Sequence, residues 1–285
     1  MNLAMRKSVV TSKGTVAYLE AGYGPDVVLI HGSLVTADDM ALGLLDTLSR
    51  DFHVVAFDRP GHGGSDQTPT DKGSGWAQAA MLHEAGQILG LHRPVVVGHS
   101  FGGSVALDTA MLYQDEITSV VALAPICFPE PRLEQLLLGP RAIPVFGPAL
   151  ARTLGVAMDV ALLPVLRRAM FLPQIMPRSY ADEFPFAWAS RPEQMIADAK
   201  DGMAVWSGLT RSALSYPSCR SRVAIFGGTH DIVVNNALHG RLASNAIPKA
   251  QFRWVPGAGH MLHHFHQGLI ADTIKDAAGH LAKAA

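Results

Sequence analysis

Apolar residues in the first 124 positions form short runs that alternate with segments of helical spacing. The runs have the length of buried strands and lie at residues 27–30, 53–57, 95–97 and 119–124. Apolar side chains three and four positions apart predict amphipathic helices at residues 36–49, 76–89 and 101–113. Strands that alternate with helices in this way predict an α/β fold, in which a mostly parallel central sheet carries helices on both faces.

The alternation stops at residue 125, beyond which helical spacing continues without any strand-like run. Strand-like runs return at 222–226 and 251–255, so one sheet is predicted on both sides of an insertion. We therefore expect a core domain formed by residues 1–124 and 218–285. Residues 125–217 are expected to form a helical cap.

The composition is that of a globular protein with a large apolar core, since 48% of the 285 residues are hydrophobic and 16% are charged. The formal net charge is −1, without a long run of one sign, which argues against a nucleic-acid partner or an anionic membrane surface. Charged residues and a proline interrupt the longest apolar stretch, so no membrane-spanning helix is predicted. We expect a small, apolar substrate as the partner, and nothing in the sequence indicates an oligomeric state.

The cellular compartment is predicted from the cysteines and from the start of the chain. Cys127 and Cys219 are the only cysteines, and two in a chain of this size do not make a disulfide scaffold. Residues 1–19 have neither a continuous apolar stretch nor a small-residue cleavage site. We therefore expect reduced thiols in a cytoplasmic protein.

Residues 98–102 (GHSFG) connect the predicted strand at 95–97 to a predicted helix. A sharp turn here would strain the backbone of Ser100, and side chains two positions to either side would collide. The turn would lift the Ser100 hydroxyl clear of the sheet at the start of a helix, where amide groups favour developing negative charge. The segment resembles the G-x-S-x-G nucleophile elbow of the α/β-hydrolase family. This resemblance implies that Ser100 is a catalytic nucleophile.

A serine hydroxyl needs a base to take its proton. The resemblance implies the chain order serine, acid, histidine, with the histidine on a loop after the last strand. His260 ends the segment 257–260 (GAGH), directly after the predicted strand 251–255, and is the expected base. Three nearby histidines are expected to face the cap or the helix surface instead: His263, His264 and His266.

The acid is expected on a loop between the nucleophile and the base. Asp231 ends the segment 227–231 (GGTHD), which follows the strand 222–226 and resembles the acid loop of the family. Some members place the acid one strand earlier, but there this chain has no carboxylate before Glu130. Asp231 is therefore expected to hold the imidazole in the correct tautomer and to stabilise the imidazolium.

Residues 31–33 (HGS) follow the predicted strand 27–30 and resemble the oxyanion loop of the family. The resemblance assigns the two oxyanion donors to the backbone N–H groups of Ser33 and Phe101. We expect His31 to bond the neighbouring loop backbone. Residues 58–65 (DRPGHGGS) also resemble a family loop, and we expect them only to shape a tight turn.

The predicted cap is rich in methionine and aromatic residues. Ligands of open α/β sheets bind at the carboxyl ends of the strands, so a cap there would roof the pocket, and methionine suits an adaptable apolar wall. We expect a small hydrophobic acyl substrate, with His99, Met170 and Phe171 as candidate contacts. Since no phosphate loop, metal-ligand spacing or dinucleotide fingerprint occurs, no cofactor and no metal are expected.

The reaction implied by the resemblance is acyl transfer to water through an acyl-enzyme, with a carboxylic ester as the first choice. Thioester, lactone and carbon–carbon bond hydrolysis, as in meta-cleavage product hydrolases, use the same chemistry and stay open. Epoxide hydrolases and haloalkane dehalogenases share this fold but use a carboxylate nucleophile. With these substrates Ser100 would form an ether, which water does not readily cleave, so the sequence excludes both reactions. Two other classes also stay open: a ligand sensor with slow turnover, and cofactor-free oxygen or peracid chemistry.

Overall fold

The computed structural model describes residues 5–67, 74–131, 138–144 and 146–282. Within them lies one eight-stranded sheet in the order β1-β2-β4-β3-β5-β6-β7-β8. The strands are β1 Lys7–Thr11, β2 Gly14–Ala21, β3 Asp26–Ile30, β4 His53–Phe57, β5 Val95–His99, β6 Ser119–Leu123, β7 Val223–Gly228 and β8 Ala250–Val255. β2 pairs antiparallel with β1 and β4, and all other neighbouring strands are parallel. The predicted mostly parallel sheet is therefore confirmed.

Helices occupy the connections between the strands. They are α1 Ala37–Met40, α2 Asp46–Leu48, α3 Gly75–Ile88, α4 Phe101–Leu112, α5 Phe146–Arg152, α6 Leu154–Met170, α7 Arg178–Glu183, α8 Pro192–Ser215, α9 Leu242–Ala246 and α10 Gln267–Ala282. A π-helical turn, Ala41–Leu45, joins α1 to α2, and another, Ala237–Arg241, precedes α9. Short 3-10 turns lie at Gly139–Ala142, Trp188–Ser190, Tyr216–Ser218 and Leu262–His264. None of the helices in these described ranges is both long and apolar enough to cross a membrane.

The inner strands are buried on both faces because helices cover each side of the sheet. Along β3, Val28 and Ile30 join one apolar cluster with residues of α3 and α4. Val27 and Leu29 join a second cluster with residues of α1 and α10. Successive side chains of a strand point to opposite faces, so a continuous apolar run is what two covered faces require.

The chain between β6 and β7 forms the helical cap, which contains α5 to α8 and no strand among its described residues. The cap packs on the core partly through Phe171, Tyr180 and Phe184, which share an apolar cluster with Val35 and Met261. Some residues of the predicted core and cap lie outside the described ranges, namely 1–4, 68–73, 132–137, 145 and 283–285.

The parallel strands bring the predicted site residues to one edge of the sheet. β3, β5, β7 and β8 all end at this edge, and the loops that follow them carry Ser33, Ser100, Asp231 and His260 respectively. β3 lies beside β5, so the loop after β3 is next to the turn at Ser100. This edge is where ligands of open α/β sheets bind.

Candidate active site

Ser100 forms the sharp turn between β5 and α4. Its backbone has φ 54° and ψ −119°, a strained conformation for a residue with a side chain. A Cβ atom at Gly98 would lie 2.1 Å from the carbonyl oxygen of Gly102. A Cβ atom at Gly102 would lie 2.3 Å from the carbonyl oxygen of Ile30. Both positions therefore require glycine for the close approach predicted from the sequence.

Asp231 and His260 form a buried hydrogen-bonded pair. The Nδ1 atom of His260 lies 2.9 Å from Oδ2 of Asp231, and each side chain is 1% exposed. The other carboxylate oxygen accepts the amides of Val233 at 2.8 Å and Val234 at 2.9 Å. Since an ionised carboxylate only accepts, Nδ1 of His260 carries the proton and Nε2 is left as the basic nitrogen.

The surroundings of Asp231 keep it ionised. Burial by itself opposes the charge, but the attraction of His260, its hydrogen bond and the amides of Val233 and Val234 outweigh burial and lower the pKa of Asp231 to about 2. Asn236 also donates to Oδ2 at 3.0 Å. These donors fix the orientation of the carboxylate, which in turn orients the imidazole.

Ser100 and His260 line the same cavity, whose volume is about 380 Å³. This size suits a small organic molecule. The cap and its flanking residues supply apolar walls: Leu138, Leu166, Ala169, Met170 and Val205. Among the described residues the lining also contains the carboxyl groups of Glu130 and Asp198, and neither lysine nor arginine.

The two residues whose amides were predicted as oxyanion donors, Ser33 and Phe101, also line this cavity. Phe101 is the first residue of α4, so its N–H group has no acceptor within the helix. The Nδ1–H group of His31 donates to the carbonyl of Gly32 at 2.8 Å, and its Nε2 accepts the amide of Arg59 at 3.0 Å. His31 therefore bonds to loop backbone, as the sequence predicted.

His31 is neutral. Burial, together with the nearby charges of Arg59 and His62, holds the pKa of His31 well below its ordinary value. A neutral imidazole has one N–H group and one basic nitrogen, which matches the two hydrogen bonds that His31 makes.

Of the three candidate substrate contacts, only Met170 lines the cavity. His99 is fully buried, its Nε2–H group donates to the carbonyl of His260 at 3.1 Å, and its ring lies between those of His260 and His263. Phe171 packs against Tyr180, with ring centroids 5.0 Å apart. His99 and Phe171 do not line the cavity, because a neighbour along a strand points to the opposite face and a neighbour along a helix is rotated by about 100°.

Of the histidines after His260, His264 faces the cap as expected, with its ring centroid 4.8 Å from that of Tyr180, whereas His263 is fully buried. Nε2 of His263 and Nε2 of His264 donate to the two oxygens of Asp39 at 2.9 and 3.0 Å. Burial opposes the charge of this carboxylate, but the two histidines outweigh it and hold the pKa of Asp39 well below its usual range. An acidic residue on the otherwise apolar face of the helix predicted at 36–49 is the sequence signal for this buried network.

Two groups among the described residues bring three potential metal ligands within 4.8 Å of one another: Asp39 with His263 and His264, and His62 with Asp198 and Asp201. In the first group both carboxylate oxygens already accept histidine N–H groups. In the second, Asp201 accepts from Arg59 and Asp198 accepts from the backbone of Leu34. Hydrogen bonding therefore accounts for both arrangements without an ion.

Comparison with known proteins agrees with this architecture. A protein of Mycobacterium tuberculosis (strain ATCC 25618 / H37Rv) described as uncharacterized is 28% identical over 283 residues, which cover 91% of this chain and 76% of that protein. A non-heme chloroperoxidase of Streptomyces lividans is 31% identical over 201 residues, covering 68% of this chain and 59% of that protein. The structure of a thermophilic esterase from Thermogutta terrifontis superposes with a TM-score of 0.71 at 21% identity, covering 96% of this chain and 97% of the esterase.

The family model described as alpha/beta hydrolase fold matches residues 25–267. This match spans most of the core and the whole cap, and it contains Ser100, Asp231 and His260. The chain therefore belongs to the α/β-hydrolase family of hydrolytic enzymes.

Proposed function

We propose that the protein hydrolyses carboxylic esters of small hydrophobic acids through an acyl-enzyme. In this proposal Ser100 is the nucleophile, His260 the base, and Asp231 the acid that orients the base. The observation that carries the proposal is the position of the buried Asp231–His260 pair, because His260 lines the same apolar cavity as the strained turn at Ser100.

The mechanism starts with attack of Ser100 Oγ on the ester carbonyl carbon while Nε2 of His260 takes the hydroxyl proton. The oxyanion of the tetrahedral intermediate accepts hydrogen bonds from the amides of Ser33 and Phe101. The intermediate then expels the alcohol, which receives the proton from His260. Water attacks the acyl-enzyme with His260 again as base, and the carboxylic acid leaves as the hydroxyl of Ser100 is restored.

The charge of the cavity favours a neutral ester over a carbon–carbon bond substrate of the meta-cleavage type. Such ring-fission products carry a carboxylate, and the described lining contains Glu130 and Asp198 but no lysine or arginine that could pair with it. The Oε1 atom of Glu130 lies 2.9 Å from Nε2 of His239, so this carboxyl group has a fixed position. Neutral thioesters and lactones need no cationic partner, so the same panel of substrates compares them with esters.

A fluorophosphonate probe tests the nucleophile. The wild-type protein should be labelled covalently at Ser100, and Ser100→Ala should abolish labelling. Ser33→Ala is the matched control, because it removes the other serine hydroxyl of the same cavity but keeps its backbone N–H group. Labelling that survives Ser100→Ala would show that the nucleophile is a different residue.

A substrate panel tests the bond type. Chromogenic esters, thioesters, lactones and ring-fission diketones should rank with neutral esters first. Labelling of Ser100 without turnover of any substrate would indicate a ligand sensor. The similarity to a chloroperoxidase makes peracid formation a second activity to measure, with hydrogen peroxide replacing water in the attack on the acyl-enzyme.

We also propose the division into a core of residues 1–124 and 218–285 and a cap of residues 125–217. The position of α5 to α8 between two neighbouring strands of one sheet supports it.

We also propose a cytoplasmic location. It is supported by Cys127 and Cys219, which are both buried free thiols.

A further inference from the structure

Arg59 lies in the turn after β4 and is completely buried beneath the oxyanion loop. Its Nε–H group donates to the carbonyl of His31 at 3.0 Å, and an Nη2–H group donates to the carbonyl of Gly32, also at 3.0 Å. Its backbone amide donates to the ring of His31. One residue thus holds two successive peptide units of the oxyanion loop.

The Gly32 carbonyl matters because it belongs to the same peptide unit as the amide of Ser33. This peptide is planar and trans, so its C=O and N–H bonds point in opposite directions. Arg59 holds the carbonyl from the buried side, and Ser33 lines the cavity. A cationic donor on the carbonyl oxygen also polarises the peptide, which makes its N–H group a stronger donor.

Arg59 also contacts the residue that carries the second oxyanion donor. Its guanidinium carbon lies 4.8 Å from the ring centroid of Phe101, in cation–π contact. The guanidinium group is therefore in contact with both segments that carry the proposed oxyanion donors, although Arg59 does not itself line the cavity.

The cap balances the buried charge of Arg59. Nη1 bonds to Asp201 on α8 and to Gln78 on α3, and Nη2 lies 3.8 Å from Asp198 on α8. Asp198 in turn accepts the amide of Leu34 at 3.2 Å. A buried guanidinium without such partners would be strongly destabilising, so the carboxylates of α8 are what keep Arg59 in position.

We infer that Arg59 is a positioning residue for the oxyanion hole: it fixes the Ser33 amide through the Gly32 carbonyl, and Asp201 of the cap holds its guanidinium group. The inference rests on the proposed function, because it takes the amides of Ser33 and Phe101 as the oxyanion donors. It gives residues 58–65 a role in the chemistry beyond that of a tight turn.

The test is Arg59→Lys, which keeps the positive charge but has a single ammonium group that cannot reach both carbonyls and Asp201 together. Two readouts are compared: kcat and KM for a p-nitrophenyl ester, and Ki for a trifluoromethyl ketone, whose adduct with Ser100 places an oxyanion in the hole. Loss of a whole oxyanion donor costs about 100- to 1000-fold, so a misdirected one should cost about tenfold or more. We expect kcat/KM and 1/Ki to fall by the same factor, with the loss in kcat.

Arg167→Lys is the matched control. Arg167 is also buried and donates to a carbonyl of the same loop, that of Leu34, at 3.0 and 3.2 Å. That carbonyl belongs to the Leu34–Val35 peptide unit, whose N–H group is not a proposed oxyanion donor. Both Arg59→Lys and Arg167→Lys should lower the melting temperature, but Arg167→Lys should change kcat and Ki by no more than about twofold.

The inference is overturned if Arg59→Lys leaves kcat and Ki unchanged, if it raises only KM, or if Arg167→Lys has the same effect as Arg59→Lys. If Arg59→Lys does not fold, Asp201→Asn is measured by the same criteria. This variant removes the ion pair between Asp201 and the guanidinium group but keeps Arg59 itself. Failure of the proposed function can be told apart from failure of this inference. In that case the wild-type protein itself would neither react with a fluorophosphonate nor hydrolyse esters. That result would remove both proposals together.

Discussion

Asp108 is a fully buried carboxyl group on α4, the helix that starts directly after Ser100. Its Oδ1 atom lies 2.6 Å from the hydroxyl oxygen of Ser212 on cap helix α8. That hydroxyl also accepts the indole N–H group of Trp76 at 2.9 Å and lies 3.0 Å from the carbonyl of Gly208. The Ser212 hydroxyl donates to Oδ1 of Asp108. One neutral donor does not compensate for burying a carboxylate charge, so the neutral form of Asp108 is favoured.

Burial raises the pKa of Asp108 from 3.8 to about 8, against the weaker opposing effects of Ser212 and Arg211. From about pH 4 to pH 8 the folded protein therefore keeps a proton that the unfolded chain has released. The free energy of unfolding then falls as the pH rises, by up to about 1.4 kcal/mol per pH unit. Between pH 5 and pH 8 this loss amounts to about 4 kcal/mol.

Asp108→Asn should remove this pH dependence, because the amide oxygen can accept the Ser212 hydroxyl and the amide does not ionise. Relative to the wild type, the variant should gain about 4 kcal/mol in unfolding free energy between pH 5 and pH 8. Urea unfolding followed by tryptophan fluorescence at each pH measures the difference. Asp115→Asn, at an exposed position, is the control and should change stability by less than about 0.5 kcal/mol. Parallel curves for wild type and Asp108→Asn would refute the reasoning.

Three further predictions concern the active site. Asp231→Asn should lower kcat by about 10⁴-fold while the protein still folds, measured by ester hydrolysis beside circular dichroism. His260→Ala should abolish turnover, whereas His263→Ala should mainly lower the melting temperature; equal losses of turnover would make His260 the wrong base. In a series of p-nitrophenyl esters, kcat/KM should rise about three- to fourfold per methylene until the cavity is full. Met170→Ala should shift the optimum to bulkier acyl groups, whereas Met158→Ala, exposed on the same helix, should not.

Most of the fold could be predicted from the sequence because it depends on local patterns. The strand predicted at residues 53–57 has the same bounds as β4, and the helix predicted at 101–113 differs from α4 by one residue. Helices cover both faces of the inner strands, so each of these strands had to be a largely apolar run, which the sequence shows directly. The need for glycine at Gly98 is equally local, because the clashing atoms belong to Gly102 and Gly103 of the same turn, whereas at Gly102 they belong to the end of the neighbouring strand β3.

The partners of buried polar groups were not predictable from the sequence. His263 bonds to Asp39 across 224 positions of the chain, and Arg59 bonds to Asp201 across 142. Nothing in the local pattern at His263 or Arg59 names these partners. A buried polar group must find a partner wherever the fold places one, and that place depends on how the helices pack.

The sequence by itself therefore determined the order of the strands along the chain and the turn at Ser100, since these follow from periodicity and short-range sterics. The choice of Asp231 and His260 on the later loops came from the resemblance to the family. Only the tertiary structure decided which side chains reach the cavity. It placed Met170 in the wall, turned His99 and Phe171 away from it, and brought α8 of the cap against Arg59. These outcomes depend on the packing of elements that are distant in sequence, and packing is set by the shape of the whole core.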